Sequence, residues 1–138
     1  MIEQVSHVTD ELADAFADLV PQLSRTAPAP TRIELEEIAV TQTLLVARDD
    51  DAVLGALTLV LYRIPTGLRA RIEDVVVDAS ARGRGVGEAL TREAVERARE
   101  TGARHVELTS NPSREAANRL YQRLGFERRE TNVYRLEL

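Results

Sequence analysis

Three glycines in five residues, Gly83, Gly85 and Gly87, stand between a β-branched run and a helical pattern in the stretch VVVDASARGRGVGEALTREAVERA. Glycine lets backbone N–H groups approach a ligand without a Cβ in the way, and it permits positive φ angles. A helix that follows adds its unpaired first amides and the positive end of its dipole. Such a loop suits a phosphate or pyrophosphate, with Arg82 and Arg84 as counter-charge. At about 1.5–3 kcal/mol per charge-assisted hydrogen bond, a few amides would anchor a nucleotide-like group. The same glycines would equally serve a tight strand-to-helix turn, and their spacing alone does not separate the two. GRGVGEA lacks the sixth-position glycine of a dinucleotide fingerprint, no ribose-binding acid follows at the right distance, and the Lys of a P-loop is missing.

Residue types close off other chemistries. With no Cys, thiolate metal sites, disulfides and cysteine acyl-enzymes are excluded. There is no G-x-S-x-G elbow, and the two histidines, His7 and His105, stand alone and read as structural or exposed. A formal charge of −5 and only five Phe and Tyr residues argue against nucleic acid, including RGRG as an RNA-binding stretch. The charge is unevenly spread. Residues 1–70 carry eleven acids against five Arg, and residues 71–138 twelve against thirteen, so an anionic ligand favours the second half. All 18 basic residues are Arg, which fits phosphate recognition and a GC-rich coding bias alike.

The longest apolar run, AVLGALTLVLY, is too short to span a bilayer. The first residues, MIEQVSHVTDELADAF, show neither a basic region nor a small-residue cleavage site. The expectation is a cytoplasmic protein with no membrane partner, folded as a single domain over residues 1–138.

The elements that must position the loop follow from periodicity. IEQVSHVT reads as a short strand, and Thr9 or Asp10 caps a helix with Leu12, Phe16 and Leu19 on one face, which Pro21 should kink or shorten. A second, weaker helix starts at Thr31. TLLVARDD and AVLGALTLVLYRI form a hairpin, PTG turns the chain again, and RARIEDVVVD is the next strand. The helix after the glycines runs to Gly102 with Val86, Leu90, Ala94 and Ala98 on its apolar face. RHVELTS then makes a parallel strand, Asn111 and Pro112 open a helix that ends at Gly125, and FERRET and VYRLEL close the chain as two strands. The result is an α/β fold with a mixed sheet of six to seven strands, in the order β-α-α-β-β-β-α-β-α-β-β, with helices on both faces.

VVVDASARGRGVGEAL resembles the signature of the GNAT superfamily of acyl-CoA-dependent N-acyltransferases, R/Q-x-x-G-x-G/A, at Arg82, Gly85 and Gly87. Val77 stands five residues before that Arg as in the family's Val-x-Pro-x-x-Arg, with Ala79 in place of Pro. EAANRLYQRLGFERR is similar to a second signature, A-x-x-x-Y-x-x-x-G-F, at Ala117, Tyr121, Gly125 and Phe126. The likeness is good over residues 52–138 and rests on element order alone over the first 50. It implies acetyl-CoA or another short acyl-CoA as co-substrate, no metal, and a small-molecule, peptide or protein amine as acceptor. It implies that Val75, Val76 and Val77 meet the pantetheine arm between two parting strands, and that Arg82, Gly83, Arg84, Gly85, Val86 and Gly87 hold the pyrophosphate. Asn111 and Asn118 would flank the arm. Arg114 stands where many members have Asn, which leaves open the side chain that orients the cofactor there.

Acylating an amine requires a base for its proton and an acid for the departing thiolate. Tyr121 is the candidate acid, one turn beyond Ala117; outside the second signature it would read as a half-buried aromatic. Glu73 is the candidate base, four residues before Val77, with an ordinary ion pair to Arg71 or Arg69 as the competing role. Asp74 points to the other face of an ideal strand unless a bulge intervenes. An acyl-CoA-binding sensor without turnover is the alternative function, and the sequence leaves a homodimer open.

Overall fold

A computed structural model describes all 138 residues. Its elements are β1 (Ile2–Gln4), α1 (Asp10–Leu23), α2 (Arg32–Thr41), β2 (Thr43–Asp49), β3 (Ala52–Ile64), β4 (Gly67–Val77), a 3-10 turn (Ala79–Ala81), α3 (Val86–Thr101), β5 (Val106–Glu107) and α4 (Glu115–Arg123). The strands form one sheet in the order β1-β2-β3-β4-β5, antiparallel up to β4 and parallel between β4 and β5.

Two residues join each central hairpin, so Asp49 faces Ala52 and Ile64 faces Gly67. The first turn is sharp enough to hold Asp50 at φ 51°. The run LLVA in β2 is buried on both faces of the sheet, which is why it reads as continuously apolar. Leu44 and Val46 join Leu12, Phe16 and Leu19 of α1 and Leu35 of α2. Leu45 and Ala47 face the other way, with Leu90, Ala94 and Ala98 of α3. Each fully buried Leu contributes about 1.5–3 kcal/mol, and the two alanines bring α3 close to the sheet.

The caps follow from side-chain chemistry. Thr9 Oγ1 accepts from Leu12 N at 3.1 Å, and Thr31 and Glu34 form a reciprocal capping box at 3.1 and 2.8 Å. Pro21 does not end α1, which continues to Leu23 and closes with Ser24 N donating to Val20 O at 2.9 Å. Gly102, at φ 86°, stops α3.

Three expectations are corrected. RHVELTS forms a ladder only at Val106 and Glu107, whose partners Ala70 and Arg71 lie just before the irregularity of β4 at Asp74 and Val75. The last helix begins at Glu115 rather than at Asn111 and Pro112. Asn111 Oδ1 accepts from Ser113 N at 2.9 Å, which makes a turn first. FERRET and VYRLEL carry no regular structure, so the sheet has five strands, not six or seven. Alternation encodes a strand-forming segment but not the neighbour whose amides must complete its ladder.

Gly55 marks a close approach of β3 to β4. A Cβ there would lie 2.7 Å from Val76 O and 3.2 Å from Val86 Cγ1. Gly55→Ala is expected to lower stability by about 1–3 kcal/mol in urea titration. An unchanged midpoint would mean that β4 can move away without cost.

Candidate active site

The site begins where β4 breaks its own pleat. Ala56 of β3 pairs with Val76 and Thr58 pairs with Glu73, so Leu57 alone opposes both Asp74 and Val75. This is a β-bulge, with Asp74 at φ 51°. It reverses the facing of the strand: Ile72 packs towards α3, and so does Val75, whereas Val76 lies in the core under α1 and α2.

The outer edge of β4 is then unpaired. Its parallel ladder with β5 consists of Ala70–Val106 and Arg71–Glu107 and stops there. From Ile72 to Val77 the strand has a partner on the β3 side only. An open run of backbone donors and acceptors of this kind can take an extended amide-bearing chain as if it were a strand.

Beyond Val77 the loop is tied down at its start. Gln22 of α1 donates to Asp78 Oδ1 at 2.8 Å and accepts from Ala79 N at 2.9 Å. Asp78 also accepts from Ser80 N at 3.0 Å and from the Ser80 hydroxyl, and these bonds hold its carboxyl below the usual range. Gly83 and Gly85 stand at φ 78° and 77°, where only glycine is unstrained. No backbone N–H from Arg82 to Glu88 finds an acceptor within the chain. These donors sit at the positive end of α3, with Arg82 Nε on Val77 O at 3.4 Å and Arg84 paired with Asp49 at 3.2 Å. Gly87 differs from its neighbours: a Cβ there would lie 3.6 Å from Val77 and 3.8 Å from Leu120, so its bare Cα faces the space between β4 and α4.

Tyr121 is buried on α4, edge-on to Phe126 with ring centroids 5.8 Å apart. Burial raises its phenol pKa, and the Arg114 charge partly opposes the shift. Arg123 at 3.0 Å and Arg92 at 3.5 Å both reach Glu88 in the first turn of α3, fastening α4 to the end of the loop. Arg123 is the main cause of the lowered Glu88 pKa.

Residues 8–126 match the family described as the Acetyltransferase (GNAT) family. The chain belongs to the GNAT family. Among similar proteins, glucosamine 6-phosphate N-acetyltransferase 1 of Oryza sativa subsp. japonica is 36% identical over 116 residues, covering 74% of this chain and 70% of its own. An uncharacterized N-acetyltransferase of Methanocaldococcus jannaschii is 44% identical over 61 residues, which span 44% of this chain but 27% of that protein. An acetyltransferase crystal structure from Trypanosoma brucei superposes with a TM-score of 0.77 at 28% identity, covering both chains fully.

In this GNAT chain the site residues singled out from sequence, beyond the glycine loop and Tyr121, fall into three groups. Val75 and Val77 face α3 and Val76 faces the opposite core, so what the three share with the cleft is backbone. Asn111 and Asn118 build the approach to α4: Asn118 Nδ2 donates to Asn111 O at 2.9 Å and Arg114 O at 2.8 Å, and Arg114 is the residue before the helix. Glu73 is paired with Arg71 through the Arg71 Nε, and Arg71 also reaches Thr109 Oγ1 at 3.3 Å across the opening between β4 and β5. No three His, Asp or Glu side chains gather as metal ligands. Gln22, Asp78 and Thr109 were not legible as site residues, since nothing in their local sequence distinguishes them from surface polar groups.

Asp74 follows Glu73 at the bulge, near enough to feel its charge. Asp74 is exposed, yet desolvation by the atoms packed around it, and then the charge of Glu73, raise its pKa above the ordinary 3.8. A raised carboxyl pKa opposes folding once the group is ionised, and the penalty disappears as pH falls through the folded value to below the unfolded one. Asp74→Asn is therefore expected to raise the melting temperature at neutral pH, and this advantage should shrink as both carboxyl states become protonated. A pH-independent gain would assign the effect to Asn's tolerance of positive φ instead.

Proposed function

We propose that this chain is an acetyl-CoA-dependent N-acetyltransferase acting on a primary amine by direct transfer between two bound substrates. The observation that carries the reading is the run of unpaired amides from Arg82 to Glu88 beside the open edge of β4. That pair of features fits a pyrophosphate followed by an extended amide-bearing arm. Acetyl-CoA supplies an activated acyl thioester. The Arg82–Gly87 loop is assigned to the pyrophosphate, and the backbone of Val75, Val76 and Val77 to the pantetheine amides. Asn111, Arg114 and Asn118 are assigned to the side of the arm nearest α4.

Two groups of this chain move protons. The Tyr121 phenol is assigned as the acid for the leaving thiolate: a phenol carries its proton at neutral pH, and burial raises its pKa further. The carboxylates at the bulge are assigned to the amine proton. Glu73 is held in place by Arg71, and Asp74 follows it with a raised proton affinity. The acceptor is taken to be a small molecule or peptide amine. The likeness to a glucosamine 6-phosphate enzyme supports a small amino compound first. No helix is long and apolar enough to cross a membrane, and a cytoplasmic location belongs to this proposal. One observation favours an acyl-CoA sensor without turnover: Glu73 already has a partner in Arg71.

Two variants test the reading. Gly87→Val places a branched side chain in the space between Val77 and Leu120 and is expected to weaken acetyl-CoA binding well over tenfold in calorimetry. Gly87→Ala, whose methyl meets only ordinary contacts, serves as the folded control. Unchanged affinity in Gly87→Val would remove the loop from the cofactor site. Tyr121→Phe keeps the ring against Phe126 and is expected to lower turnover by roughly 10²–10⁴ with acetyl-CoA affinity little changed. CoA release from the parent chain across an amine panel separates enzyme from sensor.

A further inference from the structure

Arg71 is the last residue of β4 with a strand partner on both sides, and its side chain keeps a donor unused at the mouth of the cleft. Its Nε donates to Glu73 Oε1 and its Nη2 reaches Thr109 Oγ1 at 3.3 Å, whereas Nη1 makes no hydrogen bond. Glu73 likewise uses one oxygen, and Oε2 accepts nothing. The two side chains are 33% and 43% exposed, so the pair is within reach of a ligand. Neighbouring charges do not compete for it. Glu107, across the ladder from Arg71, bonds His105 at 2.9 Å, and Arg69 is taken by His105 at 2.8 Å and by Thr66 at 2.5 Å.

On the N-acetyltransferase reading above, on which this inference rests, the cofactor arm runs back along β4 from the glycine loop past Val77 to Val75. Its acyl end is then directed at the residues that precede Val75: Asp74, Glu73 and, reaching across the opening to Thr109, Arg71. Two acids and one guanidinium suit a molecule that carries both charges, an ammonium for the carboxylates and an anion for Arg71. Arg71 and Glu73 touch each other, so the two groups they recognise must be close together in the ligand.

We infer that Arg71 and Glu73 form a zwitterion-recognising pair, which selects an acceptor whose amine has a carboxylate or phosphate only a few bonds away. The ammonium donates to Glu73 Oε2, and the anion accepts from the terminal nitrogens of Arg71. A guanidinium fork can take two oxygens of either anion, and the ion pair with Glu73 holds that fork in place before the ligand arrives. The bond that leaves Glu73 looking idle is thus part of how the acceptor is recognised. Glucosamine 6-phosphate, whose anion is a sugar ring away from its amine, does not reach both partners at once.

Matched acceptors test this: α-amino acids against their amides, and phosphoethanolamine against ethanolamine, with glucosamine 6-phosphate as the case of a remote anion. Acetylated product is measured by mass spectrometry with acetyl-CoA. Within at least one pair, kcat/KM is expected to be about tenfold or more higher for the anionic member, and the better pair tells carboxylate from phosphate. Arg71→Gln is expected to bring that ratio to about one through KM, and Arg71→Lys, a point charge without the fork, to restore part of it. Equal rates within every pair, a ratio that survives Arg71→Gln, or glucosamine 6-phosphate as the best acceptor of all would each overturn the inference. Acetylation of no amine at all would instead strike the N-acetyltransferase reading. Recognition is then decided on the unaltered chain, as it is if Arg71→Gln misfolds, by titrating the same pairs against the Arg71 Nε–Hε signal in NMR. Movement with the anionic members alone supports the pair, and movement with both members or neither overturns it.

Discussion

One extra residue in β4 governs the arrangement of the cleft. Because Asp74 and Val75 together face Leu57, the strand changes the side to which its residues point between Ile72 and Val76. A bulge bends a strand and strengthens its local twist, and the parallel ladder of two residue pairs between β4 and β5 ends at Arg71, just before it. A straight β4 would continue the ladder with β5 and close the opening. It would also send alternate valines into the wrong cores.

The loop that follows is rigid where it starts and unpaired where it ends. Gln22 reaches from the first helix to fix Asp78 and Ala79, and Arg82 folds back on Val77 O. From there to the first turn of α3 the amides are free of protein acceptors, so no internal bond competes with an anion for them. Glu88 lies at that helix end but is neutralised by Arg123 and Arg92, which leaves the positive end of α3 unopposed. Two elements far apart in sequence thereby set the charge at this one helix end.

Much of this was written in local sequence. Apolar periodicity gave α1 and α3 their buried faces, glycine chemistry marked the loop and the end of α3, and two-residue turns set the hairpins. Position within the family signatures singled out Tyr121 and the glycines. These readings work because each depends on neighbours a few residues away, through hydrogen bonds and side-chain periods that a short window contains.

What sequence alone determined, then, is the series of elements, their buried faces and the glycine-bearing turn at the head of α3. Tertiary structure decided the rest, because each remaining feature is a pairing between distant segments. Whether RHVELTS is a seven-residue strand or two ladder positions depends on where β4 bends, and whether VYRLEL becomes a strand depends on an edge that can receive it. Sequence offers Glu73 either a base's role or an ion pair with Arg71 or Arg69, and folding makes the pair with Arg71; Asp74 reads as an opposite-face neighbour unless a bulge intervenes, and folding puts the bulge there and exposes Asp74 to the Glu73 charge. Register and charge proximity are long-range quantities, and a chain specifies them only by folding.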